Sequence, residues 1–563
     1  YSNNAKGQPL VHVSGGKCTI NMVGGTLGVP RTDEAAQDRP VTCYLFGAGK
    51  GDQRTRFNTW TNVQETEVNV SGTARIFGSV FGGGEDGHVL GNAQVNIGGE
   101  VKIDLNGDGD KVDEGETFTA QSGLKIGTTG TSYVDGNVFG GGRGFSGLAL
   151  TAGSTGGNAE VNIAGGTMLG SIYGGGRLAS VGIDFTPPTD PLYGQLVDDD
   201  NTNTHGHITV NISGGTIGND VANAKYGGNV FGGSMGRITL LDGSLNPIWP
   251  KQAVTKDTEI TITGDAVIKK NVYGGSEFGI VRDKAIVNIG GTRNQSTDVV
   301  TPSGTPTIHG SVYGAGYGSD DNTPTYITAG DYASGADYVF TPMIWTGCVA
   351  GDTEVNIAGG TVKKNVYGGG EVASVGLINC HVVEDENGDI TIKDENNVEK
   401  KYRYTNLTKH NDIQGTGANE KAYGFALSWP YKFEFISGDP RHPENIGGKA
   451  TVNITGGHIG STTWDDRSGY VFGGSKGQVA FKKKDGNDLV DITDIHDQRY
   501  IEGLCANVRE TEVNVNYGST PSGKTTETIG DEDNCIMGAV YGGGEDGHVY
   551  ENAAVNITGG LIG

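Results

Sequence analysis

The chain has 563 residues, of which 99 are glycine, 35% hydrophobic and 19% charged. Glycine costs about 1 kcal/mol against alanine inside a helix, which excludes a mostly helical protein, and collagen is excluded because the glycines keep no period of three and only 16 prolines accompany them. The net charge of −25 repels phosphate backbones, so no nucleic-acid partner is expected, and no apolar run is long enough to cross a membrane as a helix.

Short runs of Val, Ile, Tyr and Phe recur between the glycines, the mark of an ordered all-β chain rather than a disordered one. The chain opens at Tyr1 with no initiator Met and stops at Gly563 inside a recurring phrase, so it reads as a segment of a longer polypeptide.

Two phrases alternate from end to end. The first is a strand ending in glycine: CTINMVGG at 18–25, EVNVSG at 67–72, QVNIGG at 94–99, EVNIAGG at 160–166 and TVNISGG at 209–215. It continues as EITITG at 259–264, IVNIGG at 286–291, EVNIAGG at 354–360, TVNITGG at 451–457, EVNVNYG at 512–518 and AVNITGG at 554–560. The second is an aromatic strand running into glycines, from YLFGAG at 44–49 through SVFGGG at 79–84, SIYGGG at 171–176 and NVYGGG at 365–370 to AVYGGG at 539–544.

In the tightest copy, 354–376, the period of two points Val355 and Ile357 inward and Glu354 and Asn356 outward. Glycine supplies the positive φ of the corners. The central Asn of each copy should then stand over its neighbour and form an amide ladder. Successive central residues Asn69, Asn96, Asn162, Asn211, Thr261 and Asn288 lie 27, 66, 49, 50 and 27 residues apart.

A step of 27 fits one coil of a three-faced parallel β-helix, that is a β-solenoid, and about 50 fits two coils or one coil with a loop. Right-handed coiling is the general preference. Eleven copies imply a rod of about 50 Å at about 4.8 Å per rung, approaching about 100 Å if the spacers coil as well. The alternative is a kelch-like β-propeller, for which the 27-residue steps are too short.

A higher period is present, since FGGGEDGHV at 81–89 returns as YGGGEDGHV at 541–549. Residues 1–563 are therefore read as one continuous solenoid, with super-repeats at approximately 61–257, 258–505 and, in part, 506–563. Insertions leave it after the Val-Asn-Ile strand or after the glycine run. The longest, 377–449, begins with an expected hairpin turning at Asn387-Gly388.

Three sets of residues carry candidate chemistry. DLNGDGDKVDEGE at 104–116 resembles an EF-hand or dockerin calcium loop, with Asp104, Asn106 and Asp108 at positions 1, 3 and 5 and Gly109 at the turn. Asp110, Asp113 and Glu116 complete the acidic set, against the plainer reading of an acidic hairpin tip. Glu85, Asp86 and His88 recur as Glu545, Asp546 and His548. A catalytic centre is normally built once, so the copied trio reads as corner geometry, with a repeated ion site as the alternative. The six cysteines fall into neighbour pairs, Cys18 with Cys43, Cys348 with Cys380 and Cys505 with Cys535, read as disulfides of an oxidising compartment or else as buried thiols.

The alternation of VNIxGG with VYGGG resembles the large glycine-rich surface or adhesin-like repeat proteins of Bacteroidetes. The likeness covers the repeat phrases and not the insertions. It implies secretion, placement outside the cell or on its surface, and no catalytic residues. The expected function is a non-catalytic structural or adhesive rod whose insertions meet a host or matrix glycan or protein. A filament assembled from copies of itself is the alternative, and a polysaccharide-cleaving β-helix enzyme the third reading, disfavoured because no unique carboxylate cluster is present.

Overall fold

The computed structural model describes residues 16–29, 43–51, 61–128, 135–144, 151–185, 194–197, 204–219, 227–236, 253–318, 345–382, 431–437, 446–461, 467–477, 506–518 and 528–563, with a few short strands and single residues between them. Among these residues the chain is all-β, without an α-helix, and is dominated by a 19-stranded and a 10-stranded sheet.

One rung shows how the phrases become structure. Ala159–Ile163 forms the asparagine strand, Thr167–Met168 a short second strand, Ile172–Tyr173 the aromatic strand, and Val181 closes the circuit through a parallel bridge to Thr155. Asn162 stands opposite Asn96 of the rung before and Asn211 of the rung after, both in parallel register. The 49 residues from Asn162 to Asn211 thus make one rung with an insertion, and the doubled-coil reading of the longer steps is corrected. The eleven asparagine strands give about 50 Å at about 4.8 Å each. Every ladder of the two large sheets is parallel, unlike the antiparallel blades of a propeller, and the arrangement is compatible with a β-solenoid.

Three kinds of self-stacking hold the rungs together. Inward valines and isoleucines such as Val68, Val95, Val161, Val210 and Ile260 are 0% exposed and form one continuous core. On the other side of the aromatic strands, Phe46, Phe81, Phe139, Tyr173, Phe231, Tyr273, Tyr313, Tyr367, Phe472 and Tyr541 make a single column. Their centroids are 4.6–5.0 Å apart with planes within 16°. Each such contact contributes about 0.5–1.5 kcal/mol beyond its burial.

The expected asparagine ladder is present. Asn69 Nδ2 donates to Asn21 Oδ1 at 2.9 Å, Asn96 to Asn69 at 2.8 Å, Asn162 to Asn96 at 3.0 Å and Asn211 to Asn162 at 2.9 Å. It resumes from Asn288 through Asn356, Asn453 and Asn514 to Asn556 at 2.9–3.0 Å. Thr261 interrupts it, and Asn288 reaches the Thr261 hydroxyl only at 3.4 Å.

A second ladder explains the Ser or Asn that opens the aromatic phrase. The Asn137 amide N–H donates to Ser79 Oγ, that of Ser171 to Asn137 Oδ1, and that of Asn229 to Ser171 Oγ, at 2.7–3.2 Å. The series runs on through Asn271, Ser311 and Asn365 to Tyr470.

The glycines divide into two classes. Those after the asparagine strand, such as Gly98, Gly166 and Gly215, do have positive φ. The first glycine of the aromatic phrase does not. At Gly314 an added Cβ would lie 2.1 Å from the Gly368 carbonyl oxygen of the next rung, so close backbone approach excludes a side chain.

Two further corrections concern the insertions. The hairpin inside 377–449 pairs Asp389–Lys393 with Glu399–Arg403 in antiparallel register. Asn387 and Gly388 lie outside the described residues, and Leu377–Val382 pairs instead with Tyr431–Ile436. Insertions also occur at a third place, between the second and aromatic strands, as at 219–227 and 461–468.

Gly314→Ala is expected to lower stability by about 1–3 kcal/mol through overpacking, read as a lower denaturation midpoint. Gly99→Ala, where nothing lies within 4 Å of the added carbon, should leave that midpoint within about 0.5 kcal/mol of the parent.

Candidate functional site

The outward face of the asparagine strands is the floor of two polar grooves of about 550 and 640 Å³. Lys102 and Lys111 of one insertion wall the first, and Lys284 and Arg293 line the second. Two positions before each central residue, glutamate occurs on every second rung. Glu67, Glu160, Glu259, Glu354 and Glu512 alternate in register with Gln94, Thr209, Ile286 and Thr451. No two glutamates of this row are therefore adjacent, which avoids like charges directly opposite.

These carboxylates have local partners. Asn69, Asn162, Asn356 and Asn514 each give their second Nδ2 proton to the glutamate of their own strand at 2.9–3.3 Å. Lys17 pairs with Glu67, Lys284 with Glu354 at 2.8 Å and Lys449 with Glu512 at 2.6 Å. The Lys17 and Lys449 ammonium groups hold Glu67 and Glu512 below the usual carboxylate range. At Glu354 burial pushes upward but is outweighed by Lys284 and Asn356, and the carboxyl is again lowered. Stability from these groups is present at neutral pH and is lost as pH falls through their lowered values.

The repeated corner trio has different surroundings in its two copies. Asp86 is buried in the left-handed region at φ 59°, and His88 is buried with Nε2 3.3 Å from Thr151 Oγ1 and its ring stacked on Phe185 at 4.5 Å. Glu85 pairs with Lys50 at 3.4 Å. In the later copy Glu545, Asp546 and His548 are exposed. Glu545 accepts a hydrogen bond from the Tyr367 hydroxyl two rungs away, the same reach by which Tyr273 bonds Glu371 and Tyr173 bonds Glu277. Burial, with the facing carboxylates next, pushes the Tyr273 and Tyr367 hydroxyls well up.

In the acidic loop, Asp104 accepts from the Gly107 and Gly109 amides at 2.6 and 3.0 Å. Buried Glu116 accepts from Leu105 and Asp113. Asn106 donates to Asp108 and Asp113. Asp108, Asp110 and Asp113 present oxygens within 4.8 Å of one another at the exposed tip, a donor set that suits a hard cation with oxygen ligands.

Cys18, Cys43, Cys348 and Cys535 are free thiols, so the expected disulfides are corrected. Cys18 lies on an asparagine strand opposite Thr66, whereas Cys43 sits against Gly28 before the aromatic strand, on a different side of the rung. Cys348 is fully buried and its thiol is raised to about 12 by desolvation. Cys380 lies opposite Phe433 in the strand pair of the long insertion. Cys505 lies outside the described residues.

The closing ladder was not read from the sequence. Val63, Val89, Thr155, Val281, Val349, Val508 and Val549 all belong to it. Its signal is a Val or Thr six or seven residues before the central Asn or Thr, masked where an insertion intervenes. Comparison with known proteins finds no matching family, no similar curated protein and no similar solved structure.

Thr451→Glu sets three carboxylates in consecutive register with Glu354 and Glu512. It is expected to lower stability by up to about 1 kcal/mol at low ionic strength, with the loss shrinking as salt is added, measured by urea denaturation in low and high salt.

Proposed function

We propose that the chain is a section of a β-solenoid rod on a bacterial surface or outside the cell, non-catalytic, with its insertions as contact sites. One observation carries this reading: the recurring polar side chains bond to neighbours one or two rungs away. The functional chemistry of the repeats is thereby distributed along the stack rather than gathered in one place. Carboxylates of the groove with lowered pKa, such as Glu354, suit ion pairing and not general-acid work, which needs a raised value. The resemblance of the repeat phrases to Bacteroidetes adhesin-like proteins supports the placement.

The ligand of this reading is a host or matrix glycan or protein, met by insertions such as 377–449. Calcium at Asp104, Asn106, Asp108, Asp110, Asp113 and Glu116 would brace the insertion that walls the first groove. A second reading is end-to-end association of copies, which the parallel register of like strands would accommodate.

Electron microscopy of the purified chain at several concentrations is expected to show single rods of about 50 Å. Long filaments would select the second reading, and round particles would overturn both. Deleting 377–449 should weaken binding in a glycan and matrix-protein screen at least tenfold while the rods persist; unchanged binding would remove that insertion from the contact surface.

Calorimetric titration with calcium should give one site, lost in Asp108→Asn with Asp113→Asn. Equal heats from parent and variant would reduce the loop to an acidic turn.

A further inference from the structure

The outward position of the short second strand is threonine at Thr26, Thr167, Thr216, Thr307 and Thr361 and a cation at Arg75 and Lys125. Two consecutive rungs carry metal-ligating side chains there. His458 and Cys535 stand opposite each other in parallel register, and each is 1% exposed. The chain before Cys535 covers them. The Asp531 carbonyl accepts from Thr361 Oγ1 at 3.3 Å, and Asn534 Oδ1 accepts from the Gly457 amide at 2.8 Å.

We propose that Cys535, His458 and Met537 form a binding site for a soft, thiophilic metal ion, copper(I). Cys535 Sγ lies 3.3 Å from His458 Nδ1 and 3.7 Å from Met537 Sδ, and Nδ1 also stands 3.2 Å from the Asp533 carbonyl oxygen, a hydrogen bond that the ion would replace. Nitrogen and sulfur donors about 2.0–2.3 Å from a shared ion stand roughly 3.6–4.0 Å apart at tetrahedral to trigonal angles, so a movement of a few tenths of an ångström admits the ion.

A second observation bears on the imidazole. His458 Nε2, on the far side of the ring, is buried without a hydrogen-bond partner, and Asp531 Oδ1 stands 3.9 Å from it. A metal-bound imidazole directs its other N–H at a carboxylate, and loading Nδ1 fixes the tautomer that points Nε2–H at Asp531.

The same geometry selects the ion. Because Asp531 faces Nε2, it cannot ligate an ion held at Nδ1. The donors are one imidazole, one thiolate and one thioether. Thiolate with thioether favours copper(I), and thioether is foreign to the Cys, His and carboxylate sets that hold zinc. Met537 is only half-buried and offers an entry side.

Binding exchanges the Cys535 S–H bond for a sulfur–copper bond and releases one proton to solvent. Because that proton must leave for the ion to bind, affinity rises with pH. This site is independent of the rod's role.

The test titrates the whole chain with copper(I) under anaerobic reducing conditions against a chromophoric copper(I) chelator. The parent should retain one equivalent more than Cys535→Ser. Asp531→Asn should weaken that equivalent about tenfold, and Met537→Leu, at a half-buried position that tolerates the change, should weaken it while the β-sheet circular dichroism is unchanged. Copper X-ray absorption of the loaded parent should show mixed sulfur and nitrogen ligation. Equal retention by parent and Cys535→Ser would overturn the site. Zinc binding as tight as copper(I) and indifferent to Met537→Leu would overturn the assignment of the ion.

Discussion

Parallel stacking in register, with like residues about 4.8 Å apart, is the constraint on which the rest of this structure depends. A side chain that faces its own copy must be able to bond to or pack on itself. A carboxamide both donates and accepts, so asparagine can be repeated from Asn21 to Asn211. A flat ring can lie on another flat ring, and a branched aliphatic can nest on its like. A carboxylate can do none of these. Glutamate accordingly alternates, with Gln94 between Glu67 and Glu160 and Thr209 between Glu160 and Glu259. The tyrosine hydroxyls follow the same two-rung spacing, reaching from Tyr173 to Glu277 and from Tyr273 to Glu371.

Most of the repeat scaffold was legible for this reason. A stacked residue leaves its identity at a fixed place in every copy, and Asn356 and Val355 could be assigned to opposite faces of their strand from the period of two. What escaped notice was encoded in backbone contact or in one or two residues. The closing ladder contributes only a Val or Thr per rung, and the Val63-to-Asn69 offset is the same type of signal as the phrases but much shorter. The role of Gly314, to let one carbonyl pass close to the next rung, leaves no mark in the sequence beyond the glycine itself.

The site residues were less legible than the scaffold because their chemistry depends on what folds over them. His458 and Cys535 are 77 residues apart and meet only through the register of two rungs. Spacing between cysteines suggested bridges, yet Cys18 and Cys43 sit on different sides of one rung. The acidic loop, by contrast, is local, and its self-bonded turn from Asp104 to Glu116 follows the order of its residues. Variation in length is confined to the gaps between strands, which leaves the register of the stack intact while the projecting chain changes.

The break in the asparagine ladder has a mechanical consequence. Hydrogen bonds between rungs lie along the long axis of the stack, so tension on the two ends loads the rung interfaces in series, and the chain is as strong as its weakest interface. Asn211 passes no amide bond to Thr261, while the aromatic column continues there from Phe231 to Tyr273 at 4.8 Å. The load at that step falls on the backbone ladder and on the bond between His207 and Asp257 at 2.8 Å, so the interface that lacks the amide bond is braced at the strand's start instead of its centre.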